Sequence, residues 1–167
     1  EKIKSLSPAF LEGGSITAAT SSPISVGAAA VLVASEDFCS SNSIKGRAII
    51  VARAIAGVHW DRMGMGPLPA VEKALKKANL TMDDIETIEL NEAFAAQSLY
   101  VIRKGGWDEN KINLNGGAIA LGHPLGCSGA RIITTLLNVM EQQGTTIGLA
   151  TMCIGSGQGI ATIIKRI

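Results

Sequence analysis

Short apolar runs alternate along the chain with segments in which apolar residues recur at helical spacing. The runs are rich in β-branched residues and alanine, and they predict strands at 27–34, 47–58, 85–90, 147–152 and 160–164. Apolar residues three and four positions apart predict helices after Pro67, over 92–104 and after Gly129. A short helix is predicted after Ser35, whose hydroxyl suits an N-cap.

Strands that alternate with helices indicate an α/β layered domain. Only the glycine-rich stretch CIGSGQG separates the last two predicted strands, so we expect them to pair antiparallel and to make the sheet mixed. A second glycine-rich stretch, residues 113–129, predicts a loop. The run 27–34 is wholly apolar, which favours a strand buried on both faces.

Composition excludes several classes of protein. The chain has 167 residues, 47% of them hydrophobic and 17% charged, with a net charge of +1. This balance excludes disorder and disfavours nucleic-acid binding, because no basic stripe is present. No apolar run is long enough to span a membrane, and the stretch EKIKSLSPAF lacks the apolar core of a signal peptide. The low charge predicts an extensive interface with another domain or subunit.

The cysteines indicate a reducing compartment, and we expect a cytoplasmic protein. There are three of them, Cys39, Cys127 and Cys153, with no C-x-x-C pair. His123 and Cys127 lie four residues apart, but proline and glycine separate them, so no metal site is predicted.

Polar residues follow apolar runs at three places, where α/β proteins bind ligands. Cys153 ends a predicted strand among glycines; it is a candidate proton shuttle, although a small buried hydrophobe is the reading that spacing favours. His123, between Gly122 and Pro124, is either an acid–base group or a histidine with a structural hydrogen bond. Asn91 and Glu92 either cap the next helix or present an amide to a ligand.

Three motifs together resemble the thiolase family. They are NEAFAAQ at 91–97, NGGAIALGHPLGCSGAR at 115–131 and GLATMCIGSGQG at 148–159. Their order and separations also fit the family, and the resemblance covers essentially the whole chain. It is closest to the bacterial 3-ketoacyl-CoA thiolases, with acetyl-CoA acetyltransferases as near neighbours.

The resemblance implies a fold and a division of labour. It implies one half of a thiolase subunit, a mixed five-stranded sheet layered with helices. Residues 1–167 would form the C-terminal domain, and the N-terminal half, which carries the family's acylated cysteine, is not in this sequence. A homodimer or homotetramer is implied, with no covalently bound cofactor and with coenzyme A or acetyl-CoA as substrate.

The resemblance also implies roles for individual residues. Cys153 takes the place of the acid–base cysteine, and His123 that of the histidine that activates the nucleophile and lines an oxyanion hole. Asn91 matches the asparagine that holds a water in that hole, and Gly155 contributes an N–H to a second hole. CoA-binding positions are implied at Ser22, which falls where a serine of the family contacts the pantetheine arm, and at Ala93 and Phe94 within the first motif.

The implied activity is that of an acyl-CoA:acetyl-CoA C-acyltransferase of fatty-acid β-oxidation. Such an enzyme cleaves a 3-ketoacyl-CoA with CoA, or runs the reverse Claisen condensation. The alternative is a non-catalytic CoA-binding or oligomerisation module with the same fold. The presence of Asn91, His123 and Cys153 together favours the enzyme, because a module without catalysis has no chemical need for all three.

Overall fold

The computed structural model describes residues 2–167. Its helices are α1 (Glu36–Ser41), α2 (Pro67–Ala78), α3 (Ala95–Gly105), α4 (Ala118–Leu121) and α5 (Ser128–Gln143). Its strands are β1 (Ala48–Gly57), β2 (Thr87–Leu90), β3 (Ile147–Ile154) and β4 (Gln158–Arg166). Short 3₁₀ turns connect these elements at Lys2–Ser5, Ala18–Thr20, Trp60–Met65, Met82–Asp84 and Glu109–Lys111.

The strands form one mixed sheet in the order β1-β4-β3-β2. Strand β4 pairs antiparallel with both β1 and β3, and β3 pairs parallel with β2. The predicted mixed α/β sheet is therefore confirmed, including the antiparallel pair at the end of the chain. Because β2 and β3 run the same way, their carboxyl ends meet at one edge of the sheet.

The expected fifth strand is reduced to a single bridge in the described residues. Ile112 bridges Ile88 in parallel beyond β2. The next residue continues the pairing with its side chain: Asn113 Oδ1 accepts from the Leu90 N–H at 2.9 Å, and Nδ2 donates to the Leu90 carbonyl at 2.8 Å. The Asn113 N–H also donates to the Ile88 carbonyl at 2.9 Å, but the pairing ends there, and four strands form among residues 2–167 instead of five.

Helices cover both faces of the sheet. The face under α2 and α3 buries the larger cluster, which includes Val71, Leu75, Ile88, Leu90, Val101, Leu149 and Ile163. The face under α5 buries Ile132, Leu136, Met140, Ala150, Met152 and Ile164. Successive residues of a strand point to opposite faces, which places Leu149 in one cluster and Ala150 in the other. No helix among residues 2–167 is long and apolar enough to cross a lipid bilayer.

The predicted helices form with small shifts at their ends. Helix α1 follows Ser35, whose side chain accepts from the Phe38 N–H at 3.2 Å. Helix α3 begins at Ala95 and not at Glu92, because Phe94 is extended with φ −142° and ψ 144°. Its last residue is Gly105, and Gly106 caps it in the left-handed conformation with φ +65°.

The prediction of a buried strand at 27–34 is wrong for this chain. The segment pairs with no other strand among residues 2–167, and all its residues are exposed. Leu32 is 81% exposed and Val33 69%. A strand forms only when a neighbour completes its hydrogen bonds. The sequence has the apolar residues of a core strand, but no described segment lies beside it.

Candidate active site

Two of the predicted site segments meet at the carboxyl ends of β2 and β3. Asn91 follows β2 directly, and its N–H donates to the Thr151 carbonyl of β3 at 3.0 Å. Cys153 lies two residues beyond Thr151 and is the last residue but one of β3. Gly155 follows in the exposed turn between β3 and β4. The sheet register therefore places Asn91, Cys153 and Gly155 at the same edge.

The glycine-rich loop brings His123 to this edge. Its backbone N–H donates to the Pro23 carbonyl at 3.1 Å, and Ile24 bridges His123 in parallel. Gly122 has φ +103°, a conformation that other residues rarely adopt, so the loop needs glycine before His123. A segment near the start of the chain thus fixes the backbone of a residue one hundred positions later.

Both ring nitrogens of His123 have hydrogen-bond partners. Ser128 donates its hydroxyl to the Pro124 carbonyl at 3.0 Å, so its oxygen accepts from Nδ1–H of His123 at 2.6 Å. In the neutral ring Nε2 is then an acceptor, and Asn91 Nδ2 donates to it at 3.3 Å. The chain of donors therefore fixes the tautomer with the proton on Nδ1 and the lone pair on Nε2.

Burial controls the ionisation of both acid–base candidates. Burial, followed by the nearby charge of Arg131, lowers the pKa of His123 below 6.5, so the ring is neutral at neutral pH. Burial raises the pKa of the Cys153 thiol above 9.0, and this effect outweighs a backbone hydrogen bond that lowers it. The backbone hydrogen bond is therefore the smaller influence on this pKa, and Cys153 is a protonated thiol at neutral pH. No hydrogen bond joins the Cys153 side chain to His123 or Asn91 within residues 2–167.

Glu92 supports the loop that carries His123. Its carboxylate accepts from the Ile119 N–H at 3.1 Å and from Asn113 Nδ2 at 3.3 Å. A Cβ at Gly117 would overlap this carboxylate, so the close approach requires glycine. The interpretation that Asn91 and Glu92 cap the next helix is wrong: Phe94 precedes α3, and Glu92 caps α4, which begins 26 residues later.

The three predicted CoA-binding residues lie together beside Asn91. Ser22 N–H and Oγ both donate to the Ala93 carbonyl, at 3.0 and 3.2 Å. Ser21 bridges Phe94 antiparallel, and the Phe94 ring packs edge-on against Phe10 at 5.8 Å between centroids. Ser22, Ala93 and Phe94 thus form one partly exposed surface next to the Asn91–His123 pair.

Sequence reasoning missed Ser128 as a partner of His123. It is fully buried at the start of α5, inside the glycine-rich motif, where the sequence alone gives it no role. The proline before it and the five-residue spacing to His123 were the available signals, since together they predict a tight turn. No group of three or more His, Cys, Asp or Glu side chains among residues 2–167 is arranged to hold a metal ion.

Asn91, His123 and Cys153 thus come from three separate motifs to one edge of a mixed α/β sheet. The family described as "Thiolase, C-terminal domain" matches residues 44–166, and "Thiolase, N-terminal domain" matches residues 1–37. The chain belongs to the thiolase family, as the sequence motifs predict.

Known relatives extend well beyond this chain. It is 61% identical over 170 residues to a 3-ketoacyl-CoA thiolase of Acinetobacter baumannii, and 58% identical to one of Psychrobacter cryohalolentis. Each match covers 100% of this chain and 44% of the relative. The chain therefore spans less than half the length of these relatives.

Solved structures of thiolases share the fold. The acetyl-CoA acetyltransferase of Bacillus anthracis superposes with a TM-score of 0.97 at 39% identity, over 99% of this chain and 42% of that one. Human mitochondrial 3-ketoacyl-CoA thiolase in complex with CoA superposes with a TM-score of 0.93 at 43% identity, with the same coverage. The predicted thiolase-like α/β fold is confirmed.

Proposed function

We propose that this chain supplies the proton-transfer and oxyanion-binding part of a thiolase active site. The reaction is cleavage of a 3-ketoacyl-CoA by CoA, or the reverse Claisen condensation. The observation that carries the proposal is the Asn91–His123 pair at the sheet edge, with Nε2 of a neutral imidazole left as an acceptor. The relatives named 3-ketoacyl-CoA thiolase support the same activity.

The proposed chemistry divides between two halves of a subunit. A cysteine thiol from the N-terminal half, which this sequence lacks, loses its proton to Nε2 of His123 and attacks the 3-keto carbon. The bond between C2 and C3 then breaks, and the acyl group stays on that sulfur. The departing acetyl-CoA enolate takes the Cys153 proton at C2. CoA next attacks the acyl carbon and gives its proton to the Cys153 thiolate. The bond between the acyl carbon and the N-terminal cysteine sulfur breaks to release acyl-CoA, and that sulfur takes back the proton held on Nε2 of His123.

The protonation states of the two residues match these roles. Cys153 must be a thiol to protonate the enolate, and burial keeps it so. His123 must be neutral to act as a base, and burial with Arg131 favours that form. Asn91 Oδ1 is buried without a hydrogen-bond partner in residues 2–167, so it has room in its hydrogen bonding for a bound water. Asn91 and the Gly155 N–H stabilise the oxyanion and enolate in this proposal.

The wider assignment belongs to the same proposal. Residues 1–167 act as the C-terminal half of a fatty-acid β-oxidation enzyme, with CoA held beside Ser22, Ala93 and Phe94 and with no covalent cofactor. The low charge and the exposed apolar segment 27–34 support burial against an N-terminal half, within a homodimer or homotetramer. Three free cysteines support a cytoplasmic location.

The test compares matched histidine and cysteine variants in the subunit that includes the N-terminal half. We expect His123→Ala to lower turnover of acetoacetyl-CoA with CoA by about 10²–10⁴-fold, as for loss of a general base. His59→Ala is the control, because His59 is exposed and its ring nitrogen pairs with Asp61 and with none of the proposed site residues. Cys153→Ser should leave the acyl-enzyme detectable by mass spectrometry but slow overall turnover, whereas Cys39→Ser should not.

Two results would count against the proposal. Equal rates for His123→Ala and His59→Ala would remove His123 from the chemistry. CoA binding by a wild-type subunit without any thiolysis or condensation would favour the non-catalytic CoA-binding module.

A further inference from the structure

A buried ion pair joins β2 to α5 behind the site. Arg131 Nη1 lies 3.6 Å from Glu89 Oε2. The Glu89 side chain is 1% exposed and that of Arg131 19%, whereas the other three ion pairs among residues 2–167 join side chains that are 46–70% exposed. The pair therefore differs from every other one in the described chain by its burial.

This pair is poorly suited to a purely stabilising role. Glu89 Oε1 and Arg131 Nε and Nη1 have no hydrogen-bond partner within residues 2–167. Buried polar atoms without partners cost free energy, and a buried ion pair is often no more stabilising than apolar residues of similar size. Stability therefore does not explain why the pair lies at this place in the fold.

The pair joins the same two elements that carry the partners of His123. Glu89 lies on β2, and Asn91 follows the strand directly with its N–H still paired to Thr151 of β3. The two are two positions apart, so both side chains point to the same face of the sheet. Arg131 follows Ser128 by three positions, about one turn of α5, and both lie on the same side of the helix. Asn91 binds Nε2 of His123 and Ser128 binds Nδ1, so the same two elements are joined twice, by the ion pair and through the imidazole.

We infer that Glu89 and Arg131 are positioning residues for His123, which hold α5 against the end of β2 at the separation that lets Asn91 and Ser128 bind the imidazole together. The Asn91 Nδ2–Nε2 distance of 3.3 Å is already long for a hydrogen bond. A shift of a few tenths of an ångström between β2 and α5 would lose it. His123 would then no longer be held in one orientation and one tautomer.

The imidazole nitrogens report this positioning directly. The chain has two histidines, so a nitrogen-15 spectrum of the imidazoles is simple, and a His59→Gln variant assigns it. In the wild type we expect a protonated Nδ1 and an unprotonated Nε2 for His123. Above pH 7, where Glu89 is ionised, we expect averaged tautomers in Glu89→Gln and in the double variant E89L/R131M. Arg131→Lys, which keeps the charge, should lie nearer to wild type.

A second ion pair that involves α5 provides the control. Arg47 binds Glu141 at 2.8 Å near the other end of α5, where both side chains are 46% exposed. Glu141→Gln should leave the His123 spectrum unchanged. The apolar double variant separates positioning from stability, because it removes the charges without leaving one unpaired. A folded E89L/R131M chain with a wild-type His123 spectrum would overturn the inference, and if that variant does not fold, an unchanged spectrum in Glu89→Gln would do so.

The kinetic consequence rests on the proposed function. In the complete subunit, Glu89→Gln should lower kcat by about 10–100-fold, the range expected for misplacement of a catalytic group by up to about 1 Å, with KM for CoA nearly unchanged. An equal loss in Glu141→Gln would show a general effect on the fold and would contradict the inference. A wild-type subunit without thiolysis would refute the proposed function, while the imidazole spectra would still decide the role of the ion pair.

Discussion

Glu89 shows how one buried carboxyl makes the whole chain sensitive to pH. Burial, which outweighs the attraction of Arg131, raises the pKa of Glu89 from 4.5 to about 7. Between these values the folded state binds a proton that the unfolded state has released. Stability therefore falls as pH rises through this window, and the loss is complete above pH 7.

The prediction at the residue scale is a pH-dependent difference between wild type and Glu89→Gln. Glutamine resembles the protonated form, so its contribution should not change with pH. From pH 4.5 to 7 we expect wild type to lose stability relative to the variant, by at most about 1.4 kcal/mol per pH unit. Urea unfolding of both chains at several pH values measures this difference. A constant difference between pH 4.5 and 7 would show that Glu89 ionises normally.

Residue types alone do not reveal the partners of His123. The motif identifies His123 and Asn91 as candidates, because their chemistry suits acid–base work and oxyanion binding. The Ser128 hydroxyl reaches Nδ1 only because the loop turns at Pro124 and enters α5 immediately afterwards. The Glu89–Arg131 pair depends on the packing of α5 across β2, which spacing along the chain does not encode.

At the scale of elements, apolar spacing predicts helices and strands well where the chain supplies their partners. Helix α2, with a buried stripe of Ala70, Val71, Ala74 and Leu75, forms as expected because the sheet beneath it is present. The equally apolar segment 27–34 remains unpaired. The spacing of apolar residues shows only that a segment can be buried. Whether the segment becomes a strand depends on the presence of a neighbouring strand with which it can hydrogen-bond. The side-chain pairing of Asn113 with Leu90 is likewise invisible to periodicity.

The segment 27–34 gives the prediction at this scale. Its exposed Leu32 and Val33 should make the chain associate with itself as concentration rises, because exposed apolar strands seek partners. The double variant L32K/V33K should lower the average mass measured by light scattering after size exclusion. Ile3→Lys is the matched control, since Ile3 is 64% exposed outside this segment. Association that persists in the double variant would show that the chain associates through another surface.

At the scale of the whole molecule, the match of residues 1–37 to the N-terminal thiolase domain explains the exposed apolar segment. That family profile includes the run 27–34, so a longer N-terminal domain would supply the strands beside it. The relatives are more than twice as long as this chain, which fits the same explanation.

The prediction for the whole molecule is that this chain alone does not transfer acyl groups. Covalent catalysis requires an acylated thiol as well as the acid–base group that we assign to Cys153. Cys39 lies in α1 and Cys127 precedes α5 in the same motif as His123, and the resemblance gives the acylated role to neither of them. Mass spectrometry after incubation with acetoacetyl-CoA should show no acylated cysteine, and thiolysis should appear only when an N-terminal half is added. Thiolysis by the 167-residue chain at rates typical of thiolases would refute this division of roles.

The pairing of Pro23 and Ile24 with His123 has a consequence for recombination between thiolases. The two domain profiles meet between residues 37 and 44, which makes that junction the obvious place to join halves from different enzymes. A crossover there separates His123 from the segment of the same chain that fixes its backbone. A hybrid keeps this contact native only if residues 17–25 travel with the C-terminal half, so the unit of exchange for catalysis is larger than the C-terminal domain.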